Sequence, residues 1–177
     1  MKSSQVVTVL AALGLTTAGF AAKKEMFARA ELQPKSGSTA TGTVEFFKSG
    51  HNVIVEAKVA QATPGEHGIH VHEKGDCSAA DGASAGGHFN PTNHTHAGPK
   101  DKVHHVGDFG NIDVKKDGTG TLTLTMKGED AKILMNDVVG KSIIFHEKQD
   151  DLHSQPSGNA GARFACGVVV KSPNPTR

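Results

Sequence analysis

The sequence predicts an all-β sandwich or barrel. Seven or eight short segments alternate apolar and polar residues, clusters of Gly, Pro, Asn and Asp separate them, and no stretch sustains a helical period. Two long loops, rich in small and polar residues, interrupt the pattern. At 177 residues the chain suits one domain, and a hydrophobic fraction of 36% is enough to build a core. A formal net charge of +1 gives no basis for a nucleic-acid or acidic-polymer partner.

Residues 1–21 read as an export signal, with the mature domain over 22–177. Lys2 supplies the positive start, residues 6–15 an almost unbroken apolar run, and Gly19-Phe20-Ala21 a small-x-small cleavage site. That run is shorter than the roughly 20 residues a membrane span needs. Once the segment is removed, the mature chain is formally neutral and no membrane span is expected. An exported chain with one pair of cysteines, Cys77 and Cys166, points to a disulfide. Such a bond would contribute about 4–5 kcal/mol on the chain-entropy model. The alternative, two metal ligands, matches no common zinc-thiolate spacing.

The elements follow in order. Residues 28–33 alternate weakly. Residues 42–48 and 52–59 read as strands, with Ser49-Gly50-His51 as their hairpin loop. A turn over 61–65 precedes a short strand at 68–72. Residues 74–87 and 91–102 are loops, the second broken by Pro91 and Gly98-Pro99. Strands at 111–114 and 120–126 flank a turn at Asp117-Gly118. In the second of these, Thr121, Thr123 and Thr125 form a wet face opposite Leu122, Leu124 and Met126. Residues 131–139 fit a short helix or a loop equally well. Strands at 142–146 and 164–171 enclose a polar loop over 148–162. Long loops on a small all-β domain are often functional.

Eight of the 11 histidines fall between His67 and Asp108. Neutral imidazole is the commonest metal ligand. In His70-Val71-His72 the two rings point to one face of a strand, about 7 Å apart along the chain, so both can converge on one ion. The pair alone is weak evidence; the other histidines in adjoining loops strengthen it. His94 and His96 share a side of an extended segment, so spacing does not choose between them. His104 and His105 face opposite ways.

The run His67-Gly68-Ile69-His70-Val71-His72-Glu73-Lys74-Gly75-Asp76-Cys77 resembles the copper-binding strand of the Cu/Zn superoxide dismutase family. Later motifs resemble that family in its own order: Gly87-His88-Phe89-Asn90-Pro91, the stretches His96 to Asp101 and His105 to Asn111, Phe145-His146, and Gly158 to Gly167. The resemblance covers roughly residues 41–171. The short join from Glu73 to Cys77 is similar to the bacterial exported branch, which implies a periplasmic location.

The resemblance implies a Greek-key sandwich or flattened barrel of about eight antiparallel strands. It implies one copper on His70, His72, His88 and His146, and one zinc on His88, His96, His105 and Asp108. His88 would bridge the two ions and, with Arg163, serve catalysis. Asp150 would link His70 to His96, Arg163 would draw in the anionic substrate, and Cys77 would pair with Cys166. The implied reaction converts superoxide to oxygen and hydrogen peroxide.

The residue types agree: four imidazoles suit Cu(II), and three imidazoles with a carboxylate suit a closed, structural zinc site. The tail after His96 favours it over His94, and Val106-Gly107-Asp108 selects His105. His67 reads as a structural histidine bonding backbone carbonyls. His51, His94, His104 and His153 are solvated by default. Asp150, with Asp151 beside it, has a merely solvated loop carboxylate as its plainer alternative, which its place four residues after His146 disfavours, and Arg163 has loop capping or a pair with Asp76. The loop over 148–162 is shorter than the charged loops that some members of the resembled family use to steer substrate, and it carries few charges beyond its two aspartates, so steering is reduced or supplied elsewhere. Subunit packing stays open, a homodimer included. The rival functions are a non-catalytic copper/zinc-binding protein on the same fold and a zinc hydrolase, which would need an open zinc position.

Overall fold

A computed structural model describes residues 24–172; the export signal expected over 1–21 lies outside them. The strands are β1 (Glu25–Pro34), β2 (Thr41–Ser49), β3 (Asn52–Ala60), β4 (Gly65–His72), β5 (Asp108–Val114), β6 (Gly120–Met126), β7 (Ser142–His146), β8 (Arg163–Val168) and the two-residue β9 (Val170–Lys171). One α-helix, α1 (Gly128–Asp137), lies between β6 and β7. Antiparallel neighbours run β2-β3-β6-β5-β4-β7-β8-β1, and β1 pairs back onto β2. Eight strands therefore close into a barrel, whose weakest seam is between β5 and β6, joined by the one pair Val114 with Gly120. β3 lies beside β6 and β4 beside β7, so the β3–β4 and β6–β7 connections cross the ends in Greek-key fashion.

Alternation decides what fills the barrel. On β3, Val53, Val55, Ala57 and Val59 are buried while Lys58 is exposed. They join Phe46, Phe109, Ile112, Ile143 and Phe145 in one core. The segment over 131–139 is mostly α1. Ala131, Leu134 and Val138, spaced at helical intervals, are buried together in that core. Glu129 and Asp130 in the first turn favour the helix N-terminus. The last strand starts one residue earlier than the sequence suggests, at Arg163, and is interrupted at Val169.

β4 and β7 are buried on both faces. Ile69, Val71, Ile143 and Phe145 point into the barrel. The alternate residues, His70, His72, Ile144 and His146, lie on the outside under the long loops. There a second small cluster of Ala85, Ile144 and Cys166 packs with Cys77. The Cys77–Cys166 disulfide ties the first loop to β8 across this cluster.

Two register slips shape the rim. The β4–β5 pairing slips between Gly68 and His70, so Asp108 comes opposite His70. Gly110, at φ +79, supplies the left-handed residue on the longer side. The β7–β8 pairing slips between Phe145 and His146, which sets Arg163 opposite His146. Bulges of this kind re-aim side chains beside functional sites.

Candidate metal centre

Two clusters of donors form under the loops. His70, His72, His88 and His146 make the first; His88, His96, His105 and Asp108 make the second. Within each, one donor atom per residue lies within 4.8 Å of the others, and all seven residues are buried. His88 belongs to both. It reaches them from the loop after Gly87, next to an isolated β-bridge with His72.

Hydrogen bonds fix which nitrogen each ring turns inward. His70 Nε2 donates to Asp150 Oδ2 at 2.7 Å, and His96 Nε2 donates to Asp150 Oδ1 at 2.9 Å. A carboxylate only accepts, so in both rings Nδ1 is left bare. His72 Nδ1 donates to the Gly86 carbonyl at 2.9 Å, and His146 Nδ1 to the Gly161 carbonyl at 3.3 Å, leaving Nε2 bare. The bare atoms have no partner: His70 Nδ1, His72 Nε2, His88 Nε2, His96 Nδ1 and His146 Nε2 are buried without a hydrogen bond. Buried polar atoms are nearly always satisfied. Four such nitrogens converging on one point are explained by an ion, and the all-imidazole set suits copper.

In the second cluster Asp108 Oδ1 sits 2.8 Å from His88 Nδ1, 3.1 Å from His96 Nδ1 and 3.2 Å from His105 Nδ1. His88 Nδ1 and His105 Nδ1 are 3.4 Å apart. The edges of a tetrahedron with bonds of about 2.0 Å are near this length. Asp108 Oδ2 accepts from the backbone N–H groups of Ala97 and His105, which orients the carboxylate. The donor set fits a closed zinc site, and no fourth position remains for a hydrolytic water.

The electrostatics follow from burial and neighbours. Desolvation, then the surrounding imidazoles, hold His72 and His146 well below the usual histidine range. Burial and His70 pull His88 down to about 4 despite Asp108. His96 goes the other way: burial would lower it, but Asp108 and Asp150 raise it to about 9. Burial alone would raise Asp108 and Asp150. Their histidine partners override it and hold both below the usual carboxylate range.

A pocket of about 380 Å³ opens onto the first cluster, lined by His72, His88, His146, Pro156, Ser157 and Arg163. Arg163 Nη1 and Nη2 donate to the Gly82 and Gly86 carbonyls, each at 2.7 Å. The guanidinium is thus held by the disulfide-anchored loop while facing the pocket. Asp76 instead accepts from the Ser78 N–H.

Among the residues weighed in the sequence, His67 faces the carbonyl oxygens of His146 and Thr63 at 2.9 and 2.8 Å. His51, His94 and His153 are exposed. His104 is buried rather than solvated. Its Nδ1 donates to the His105 carbonyl at 2.7 Å, and its Nε2 lies 3.6 Å from Asp130 of α1. Asp150 is fully buried rather than solvated, and Asp151 Oδ1 accepts from the N–H groups of His153 and Ser154 and braces the second loop. Sequence reasoning assigned no role to Asn111, the end of the His105 to Asn111 motif, or to Gln155. Asn111 pairs with the Asp150 backbone and Gln155 with that of His96. Neither sits in a pattern that local spacing reveals.

The family model described as copper/zinc superoxide dismutase matches residues 40–169. A Cu-Zn superoxide dismutase of Onchocerca volvulus is 41% identical over 148 residues, 76% of this chain and 90% of that protein. An extracellular Cu-Zn superoxide dismutase of Brugia pahangi is 40% identical over 141 residues, 74% of this chain and 69% of that protein. A copper chaperone for superoxide dismutase from Rattus norvegicus is 34% identical over 183 residues, 97% of this chain and 65% of that protein.

Proposed function

The chain belongs to the copper/zinc superoxide dismutase family, and from that premise we propose how its own residues convert two superoxide anions and two protons to oxygen and hydrogen peroxide. The observation that carries the reading is the set of bare imidazole nitrogens at the foot of a pocket that Arg163 lines. When bound, copper supplies one-electron chemistry and zinc a fixed positive charge. Arg163 attracts the anion and orients it, its guanidinium fixed by two carbonyls. His70, His72 and His146 are locked in their tautomers, so the reacting end of the pocket does not reorganise. His88 holds Nδ1 among the second cluster's donors, which leaves Nε2 as the position that takes a proton and passes it to the reduced substrate. Asp150 couples the two clusters by accepting from one ring of each. Superoxide turnover by metal-loaded protein is the test. His146→Ala should abolish it while zinc stays bound; persistent turnover would overturn the copper assignment.

The similarity to a copper chaperone gives the rival reading, a copper/zinc-binding protein without turnover. The complete ligand set and Arg163 argue against it, and the same assay separates the two.

We further infer an exported protein of the bacterial branch, resident in the periplasm. The signal-like residues 1–21, the disulfide and the extracellular relative support export, and the short join from Glu73 to Cys77 supports the bacterial branch. Cell fractionation with N-terminal sequencing decides it: a mature chain beginning at Ala22 in the periplasm is expected, and an unprocessed cytoplasmic chain would overturn it. No helix among the described residues is long and apolar enough to cross a membrane. A homodimer is the partner state we propose. Exposed Val139 and Val170 support it, drawn near each other by the Gly140 N–H bond to the Val169 carbonyl. Sedimentation as a monomer at micromolar concentration would overturn it.

A further inference from the structure

Three residues in the loops have both backbone polar groups taken by a single carboxamide. Asn90 pairs with His94, accepting from its N–H at 3.0 Å and donating to its carbonyl at 2.8 Å. Asn111 does the same for Asp150 at 2.8 and 2.9 Å. Gln155 does it for His96, with both bonds at 2.8 Å. None of these three residues lies in a strand ladder, yet backbone groups need partners. A carboxamide offers an acceptor and donors arranged as in a peptide, so each side chain stands in for one rung of a ladder.

Gln155 differs from the others in what it holds. The backbone it grips carries the ring whose Nε2 is fixed by Asp150 and whose Nδ1 belongs to the second cluster. With Asp150 and Gln155 in place, Nδ1 is the one polar atom of His96 left without a hydrogen bond. Both grips come from the same short loop, and that loop is stiff. Asp151 Oδ1 accepts from His153 and Ser154, Asn159 Nδ2 donates to Asp151 Oδ2 at 3.1 Å, and the Gly158 N–H donates to the Ser154 carbonyl at 2.7 Å. Gln155 is itself exposed, so its order comes from this bracing and not from burial.

We propose that Gln155 is a positioning residue for the second cluster: by fixing the His96 backbone it sets the aim of Nδ1 and hence zinc affinity, without touching the ion. The proposal rests on the reading that this cluster holds zinc.

Copper-loaded protein would be titrated with zinc against a competing chelator, and with Co(II) as a spectroscopic probe. Unaltered protein should take one Co(II) per chain with the intense d–d bands of a tetrahedral site. In Gln155→Ala zinc affinity should fall about tenfold, the lower end for lost supporting contacts at metal sites. The Co(II) bands should shift, and copper affinity should stay within about twofold. Gln155→Glu keeps the acceptor for the His96 N–H but sets a carboxylate against its carbonyl, and should fall between the two. Unchanged zinc affinity and an unchanged Co(II) spectrum in Gln155→Ala would overturn the proposal. So would an equal loss of copper and zinc affinity, which would mark Gln155 as a simple tie between loops. Failure of unaltered protein to bind Co(II) at this cluster would instead refute the zinc reading, so the two failures are told apart.

Discussion

Breaking the Cys77–Cys166 bond should act on stability and on turnover by separate routes. The bond joins residues 89 apart in sequence. A loop of that size restricts the unfolded chain by about 4.5 kcal/mol on the entropy model. For a chain this long, each kcal/mol moves the melting temperature by about 2–4 °C, so a drop of about 9–18 °C is expected. The second route is local. Gly82 and Gly86, in the loop that Cys77 anchors, hold the Arg163 guanidinium, and the Gly86 carbonyl also accepts from copper ligand His72. Freeing the loop lets both move, and a shift of about 1 Å in a positioning group can cost up to about a hundredfold in rate. The comparison is unaltered protein, oxidised and thiol-reduced, against a Cys77→Ser, Cys166→Ala double variant. Metal-free samples would be melted by circular dichroism, and metal-loaded samples assayed for kcat/KM. A melting change under about 4 °C would refute the entropic argument. Full activity in the reduced, fully metal-loaded enzyme would refute the anchoring of Arg163 through this loop.

Two further outcomes are expected. Gly158→Ala should lose zinc by at least about tenfold. A Cβ there would lie 1.8 Å from Asp150 Oδ1 and 2.7 Å from His96 Nε2, on a backbone at φ +65 that favours glycine; chelator competition reads the loss, and unchanged affinity would show that the loop yields freely. Metal-free protein should lose stability as the pH falls from about 6.5 towards 4. His72, His88 and His146 have lowered values when folded, so in that window the unfolded chain binds protons that the folded one refuses. His96, raised to about 9, is charged throughout that window in the folded state; its contribution is full below about 6.5 and is lost as the pH rises from there through about 9. Urea unfolding across this range checks the sign, and stability that rises on acidification would contradict it.

Much of the barrel was legible because alternation is a local property. The 120–126 and 142–146 strands have the bounds the pattern suggests, and α1 was the ambiguous stretch because ten residues with a narrow apolar stripe suit a helix or a loop. Local spacing gave the pair His70-Val71-His72 and left His94 and His96 undecided; the full set of seven residues in the two clusters came from the family resemblance, whose motifs are short and survive in one dimension. Folding decided the rest. Which nitrogen of each ring faces inward depends on partners such as Asp150, 80 residues from His70. The bulges that bring Asp108 opposite His70 and Arg163 opposite His146 are slips between paired strands, and no single strand encodes a pairing. The carboxamide grip on His96 exists only once two loops meet over the barrel wall, and that on Asp150 only once its loop lies against β5. The chain's chemistry was written in residue types and short spacings, whereas the aim of each donor atom is a long-range property that only the closed barrel and its crossing loops supply.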